Sequence, residues 1–203
     1  MYGRAAAREN SMTDEISDID DNFVGQILLA MPAMNDPRFE RSVIFVCAQN
    51  EHGAMGVVIN KTLDSINFPE LLGQMDIPTN DAARDIAVHF GGPVENQRGF
   101  VLHSTDYRNN DTLVVDGQIS LTATLDVLRD LAQGQGPENF ILALGYAGWG
   151  PGQLEAEFQD NAWLLVPASC ELVFTVANSN KWERAFNSIG IDLSALSGTS
   201  GRA

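Results

Sequence analysis

The sequence predicts an α+β protein folded as one domain. Short, nearly all-apolar segments of β-branched character arrive in runs as well as singly. Capped amphipathic stretches fall between them, and no strict strand–helix alternation develops. With 203 residues, 44% of them apolar, the chain can bury a sizeable core without disulfide or metal staples. No internal repeat, low-complexity block or long linker divides it.

From the N-terminus, residues 1–22 stand apart. Asp14, Glu15, Asp18, Asp20 and Asp21 crowd a stretch with few large apolar residues, which predicts a disordered acidic tail. The domain is expected over 23–196, with 197–203, small and polar, as a flexible C-terminal tail. The first expected strands are Val24–Ala30 and Ser42–Ala48. Asn50-Glu51-His52-Gly53 then turns the chain into a third, Ala54–Asn60, making a hairpin. Asn67, with Glu70 three residues on, caps a helix carrying Leu71, Leu72 and Met75. Ile86–Phe90, Gly99–His103 and Thr112–Val115 read as strands. Ser120 is the expected cap of a second helix, whose stripe of Leu121, Leu125, Leu128 and Leu131 ends at Gly134. Strands at Phe140–Leu144 and Trp163–Val166 flank a helix that starts near Pro151-Gly152 and carries Leu154 and Phe158. A last strand is expected at Glu171–Val176. The helix after it is capped by Asn180 and buries Trp182, Ala185, Phe186 and Ile189. Runs this apolar predict strands covered on both faces.

Charge narrows the function. Twelve Lys and Arg against 27 Asp and Glu give a net charge of −15. Such a surface repels a phosphate backbone, whose capture needs several basic contacts, and it repels an anionic bilayer as well. Direct nucleic-acid binding and membrane docking are therefore not expected. No apolar run approaches the ~18 residues of a transmembrane helix, and residues 1–21 lack the apolar stretch of a secretory leader, so a cytoplasmic protein is expected. Cys47 and Cys170 lie in apolar segments with neither disulfide nor metal-ligand spacing, and read as buried thiols in a reducing compartment.

Few constellations carry chemistry. Gly145-Tyr146-Ala147-Gly148-Trp149-Gly150-Pro151-Gly152 is expected to link a buried strand to a helix, where glycine loops often cradle phosphates. The Gly-Lys-Ser/Thr of a P-loop and the G-x-G-x-x-G spacing are both missing, however. Glu155 and Glu157 satisfy the helix dipole and would repel an anion. They point to different sides of the helix, which argues against an acid/base pair. The glycine-rich stretch then reads either as tight backbone packing of Trp149 and Tyr146 against a strand, or as a ligand or partner groove in which Gly148 and an exposed Trp149 make close contact and Gln153 and Glu155 supply hydrogen bonds. Trp149→Ala is accordingly expected to leave the fold intact and abolish capture. Gly92 and Pro93, in Gly91-Gly92-Pro93-Val94, shape a second turn. His103 and Ser104 alternate across a strand, so one cannot serve the other as base. His52 and His89 share no ligand spacing with other metal-binding side chains, and neither a metal nor a cofactor is expected. In the loop Ala30–Ser42, whose two prolines exclude a helix, Asp36 and Arg41 read as a pair or as a polar partner surface.

Several blocks in order carry a resemblance. Leu29-Ala30-Met31-Pro32, Asp36-Pro37-Arg38-Phe39-Glu40-Arg41-Ser42-Val43 and Gly53-Ala54-Met55-Gly56-Val57-Val58-Ile59-Asn60 come first. Gly91-Gly92-Pro93-Val94, Gly99-Phe100-Val101-Leu102-His103, Gly145–Gly150 with Gln153-Leu154-Glu155, and Asn161-Ala162-Trp163-Leu164 follow. Over Val24 to Ile191 the chain resembles the YqgE/AlgH family of uncharacterised bacterial proteins. One block departs: where many members have Glu-His-Asn before the hairpin turn, this chain has Ala48-Gln49-Asn50. The resemblance implies helices around a branched, mixed β-sheet that partly closes into a small barrel. It supplies no enzymatic activity, cofactor or substrate. A transcription-linked regulatory role attaches through the naming of some members alone.

The reading that fits residues and resemblance together is a non-catalytic binding or regulatory module. Its unknown protein or small-molecule partner meets Gly92, Pro93, Gly148, Trp149, Gln153 and Glu155. The rival is a hydrolase or transferase using His103 with Glu155 or Asp36, which needs those groups within hydrogen-bond reach.

Overall fold

The structure, a computed structural model, describes residues 22–191 except Arg84. Apart from Asn22, both expected tails lie outside the described residues, as do 192–196 of the expected domain. Strands β1 (Gln26–Ala30), β2 (Val43–Asn50) and β3 (Gly53–Val58) are followed by helix α1 (Phe68–Gln74). Then come β4 (Val88–Phe90), β5 (Val94–Ser104), β6 (Leu113–Val114), β7 (Ile119–Thr122) and α2 (Leu125–Gln133). The chain continues through β8 (Phe140–Trp149), α3 (Gln153–Gln159), β9 (Trp163–Pro167) and α4 (Asn178–Ser188). All nine strands join one curled sheet in the order β6-β7-β5-β8-β3-β2-β1-β9, with β4 parallel to β8 off that path. The remaining pairings are antiparallel, so the sheet is mixed and forms a half-barrel with helices around it.

Branching happens on β8. Its first half pairs with β5 and β4, while Ala147–Trp149 pairs with β3. The bend between the halves is Gly145, at φ +73°, where a side chain would be strained. There the backbone of Gly91-Gly92 lies directly on that of Gly145-Tyr146. A Cβ on Gly91 would collide with the Gly145 carbonyl, and one on Gly92 with the Tyr146 carbonyl. β5 separates from β8 through an irregularity between Val94 and Gly99, with Glu95 at φ +47°. The Gly-Gly-Pro turn is thus where three strands part company.

The apolar runs are covered on both faces, as their composition predicts. On β1, Ile27 and Leu29 face the cluster completed by Trp182 and Phe186 of α4, and Leu28 and Ala30 face a second cluster with Trp149, Leu154 and Trp163. A third joins Val101, Leu142 and Leu144 to α1 and α2.

Four local expectations are corrected. Ile119–Thr122 is a buried strand, not the start of a helix. The Asp116 carboxylate accepts from the N–H groups of Gln118 and Ile119, closing a hairpin that makes Ser120 a ladder residue, and α2 starts only after Thr124. Glu171–Thr175 is one π-helical turn and not a strand, because Ser169 receives the Leu172 N–H and turns Leu172 and Val173 into the core. The last helix opens at Asn178 after Ala177, so Asn180 lies inside its first turn and not at its cap. Finally β8 runs on through Trp149, which makes Gly145–Trp149 strand and leaves only Gly150-Pro151-Gly152 as the turn into α3.

Asn178 has another occupation. Lys181, one of two lysines in the sequence, is buried with its Nζ donating to the Ile59 carbonyl (2.8 Å) and Asn178 Oδ1 (2.9 Å). The Asn178 amide donates to His89 Nε2 (2.9 Å), and His89 Nδ1 donates to the Leu142 carbonyl (3.2 Å). Burial lowers the Lys181 pKa to about 8 from 10.5. Between those values the unfolded chain holds the extra proton, so the Lys181 contribution to stability rises with pH across that window. A shift of that size corresponds to roughly 3 kcal/mol. Two raised groups oppose the rise: Cys47 from about pH 9, since desolvation pushes its thiol up to about 12 from 9.0, and Tyr107 from about pH 10, since burial, and then its bond to Asp130, push its hydroxyl up to about 12 from 10.0. Urea unfolding at several pH values should show the rise between about pH 8 and 9 and a levelling above that, and Lys181→Met should remove the rise. A profile unchanged by that substitution counts against a buried ammonium.

Candidate functional site

At one end of the sheet the β8–α3 turn, the β1–β2 loop and the Pro93-Val94 turn meet around a cleft of about 380 Å³. Its base is aromatic. The buried indoles of Trp149 and Trp163 stand edge to face at 5.9 Å, and Phe39 packs edge-on against Trp163 at 5.8 Å. Met34, Pro93 and Val94 add apolar walls, and Gly148 leaves the strand surface bare. A shallower depression of about 330 Å³ shares Val94, Gly148 and Trp149, and reaches across Met55 and Tyr146 to Asn50 and His52.

Polar groups in the cleft are few and held in place. Glu157 and Gln153 lie one helical turn apart on α3 and therefore on one face. Glu157 Oε2 accepts from Trp149 Nε1 (3.0 Å) and Trp163 Nε1 (2.8 Å), and its Oε1 accepts from Gln153 Nε2 (2.8 Å). Gln153 Oε1 accepts the Gly150 N–H, which ties the turn to the helix. At the rim Asp36 grips Arg38 with both oxygens, the shortest contact 2.6 Å, and that hydrogen bond is the main reason its pKa is lowered. Arg41 goes elsewhere: it reaches Glu183 at 2.8 Å and lies over the Trp182 ring, so the Asp36–Arg41 pairing does not form.

Four of the six binding candidates, Pro93, Gly148, Trp149 and Gln153, line this cleft. Gly92 sits behind it, in backbone contact with Tyr146. Glu155 is on another side of α3, where it accepts from Gln49 Nε2 at 2.8 Å; Gln49 Oε1 in turn accepts the Phe23 N–H. The departure at Gln49 therefore fastens the entering chain to α3. Trp149 is buried, not exposed, because residues of β2 and β3, Trp163 of β9 and Leu154 of α3 close over it. Sequence reasoning passed over Glu157, Trp163, Phe39 and Met34. The Gln153–Glu157 spacing was the available signal, with a tryptophan on the strand either side of that helix.

His103 and Glu155 are not brought together. His103 pairs with Phe140 at the start of β8, whereas α3 follows its other end, nine residues away and ~30 Å along an extended strand. The His103 ring is fully buried. Its Nδ1 donates to the Ser104 carbonyl (2.8 Å), which leaves Nε2 to accept from Thr122 Oγ1 (2.9 Å). Burial lowers its pKa. Ser104 donates instead to Asp106 and receives the Asn139 N–H, an arrangement that fastens a turn. Cys47 is also buried, its thiol pushed up to about 12 by desolvation. Cys170, half-buried rather than buried, donates to Gln118 Oε1. Among the described residues no three His, Cys, Asp or Glu are grouped to hold a metal, and no helix is long and apolar enough to cross a membrane.

Residues 27–194 match the AlgH-like family, DUF179. The chain belongs to this family. A UPF0301 protein of Rhodospirillum rubrum is 53% identical over 181 residues, spanning 89% of this chain and 94% of its own. One of Cereibacter sphaeroides is 52% identical over 180 residues, 88% of this chain and 98% of the relative. Among solved structures, the AlgH protein from Pseudomonas aeruginosa superposes with a TM-score of 0.75 at 37% identity, covering 97% of this chain and all of that one. Protein DIP2367 from Corynebacterium diphtheriae shares the fold, with a TM-score of 0.69 at 20% identity over 87% of this chain and 92% of its own. The AlgH-like fold thus holds across distant sequences, and the names of these relatives carry no activity to this chain.

Proposed function

We propose that this AlgH-like protein is a non-catalytic binding module of the cytoplasm, and that it captures a protein or small-molecule partner in the aromatic cleft at the β8–α3 turn. One observation carries the reading. Residues chosen from separate sequence blocks, Pro93 on one side and Gly148, Trp149 and Gln153 on the other, line the same concavity, joined there by Phe39 and Trp163. Concave, mainly apolar surfaces with a few fixed polar groups are the usual form of a binding site. His103, Lys181 and Cys47 are buried elsewhere and engaged in structural hydrogen bonds, and the cleft's own Asp36 is closed on Arg38. With its strongly negative charge, the module would act on regulation through a partner and not by holding nucleic acid.

Photo-crosslinking in living cells tests this. Benzoylphenylalanine at Val94, on the cleft rim, is expected to yield discrete adducts that the same group at exposed Leu113 on β6 does not. Gly148→Glu, at an exposed strand position where the new Cβ meets the Tyr146 ring at 3.2 Å and displaces it slightly, should remove them while the protein stays folded. Equal adducts from both positions, or adducts indifferent to Gly148→Glu, would defeat the assignment.

A further inference from the structure

Resting on the binding reading, we infer that the cleft takes a basic side chain, an arginine or lysine borne on an extended segment of a partner protein, with Glu157 as its counter-charge. Three charged side chains line the cleft: Asp36, Arg38 and Glu157. The first two close on each other in the bidentate pair described above. Glu157 is left with neutral partners only, two indole N–H groups and one amide. Among the described residues no Lys, Arg or His lies within ion-pair distance of it.

That hydrogen-bond arrangement has consequences. Two indoles occupy Oε2, and a carboxylate oxygen has two acceptor sites, so Oε2 is full. Oε1 receives a single bond, from Gln153, and retains a free site. The carboxylate is also held rigid by three donors, so little side-chain entropy remains to be lost when a ligand binds. A cation fits such an acceptor, whereas a ligand carboxylate or phosphate would meet a fixed like charge. The same cleft shows how it houses a guanidinium. Arg38 lies 5.7 Å over the Phe39 ring while gripping Asp36, so a guanidinium at the rim already sits against an aromatic ring and a carboxylate, with Glu157 a second carboxylate in the same cleft. A polypeptide occupant suits the shape. The two depressions share Val94 and the bare backbone at Gly148, so a chain can cross from one to the other over that glycine. The net charge of −15 would draw such a basic segment in.

The chain carries its own reporters. It has three tryptophans. The indole N–H groups of Trp149 and Trp163 end on Glu157, while that of Trp182 donates to the Ala30 carbonyl in another cluster. Three blocked alanine pentapeptides, with arginine, citrulline or glutamate at the centre, are titrated into the full chain and followed by the indole N–H resonances. The arginine peptide should shift Trp149 and Trp163 and spare Trp182. Citrulline, the neutral isostere, should bind about tenfold more weakly, the order expected for one charged hydrogen bond, and glutamate should not register. Glu157→Gln should bring arginine and citrulline together. Equal binding of arginine and citrulline by the unmodified chain would overturn the counter-charge and leave the binding module standing. Peptides that leave Trp149 and Trp163 unmoved, or move Trp182 alike, would overturn the basic-segment assignment, while the Val94 crosslinking decides the binding module separately.

Discussion

Gly92→Ala is expected to leave little or no folded protein. At φ +153° Gly92 holds a backbone conformation that side chains rarely adopt, and an added Cβ would fall on the carbonyl group of Tyr146. The obstructing atoms are backbone on β8, which is held by ladders to β5, β4 and β3, so neither partner can move aside cheaply. Strain of this kind combined with a backbone collision belongs to the severe tail of single substitutions, more than about 4 kcal/mol. Gly99→Ala is the matched control. A Cβ there meets the Leu128 methyl at 3.5 Å, an ordinary contact, and its cost should stay near 1 kcal/mol or below. Equilibrium denaturation of both variants decides the matter. A Gly92→Ala protein with the midpoint of the parent would mean that the sheet does not branch through this contact.

The same glycine shows what a sequence discloses and what it withholds. The Gly-Gly-Pro block announced a backbone requirement, but the atom that imposes it, a carbonyl some 50 residues away on β8, has no local signature. Strands with long apolar runs were legible because burial on both faces leaves no polar alternation to misread. The shorter segments were not. Ile119–Thr122 carries Ser120 and Thr122, residues that serve equally as helix caps, and the neighbouring Asp116-Gly117 turn was the signal that separates the two readings. Leu172–Val176 satisfies strand propensity and one helical turn alike, and Ser169 settled it through a single side-chain bond. At the site, the residue types were visible and their pairing was not. Glu157 looks like any acidic residue of a short helix until Trp149 and Trp163 arrive from two strands to share one of its oxygens. Aromatic character pointed to the right place for the wrong geometry: Trp149 marks the cleft by closing its floor.

That geometry reverses the expected behaviour of Trp149→Ala. Truncating a buried tryptophan removes a large apolar volume and leaves a cavity between β3, β8 and α3, at a cost of about 3–5 kcal/mol. Here the edge-to-face contact with Trp163 at 5.9 Å and the hydrogen bond to Glu157 are lost in the same step. Trp149→Phe separates the contributions. It keeps most of the packing and forfeits only the N–H donor, and Glu157 Oε2 still receives Trp163 at 2.8 Å, so a loss of about 1–2 kcal/mol is expected. Thermal and urea unfolding of the two variants should therefore rank parent, phenylalanine, alanine in order of decreasing stability. The alanine variant should also weaken capture, for the indirect reason that its floor has collapsed, which makes Gly148→Glu the better probe of binding. An alanine variant as stable as the parent would restore Trp149 to the surface, and with it the exposed anchor that is one of the two readings the sequence allows.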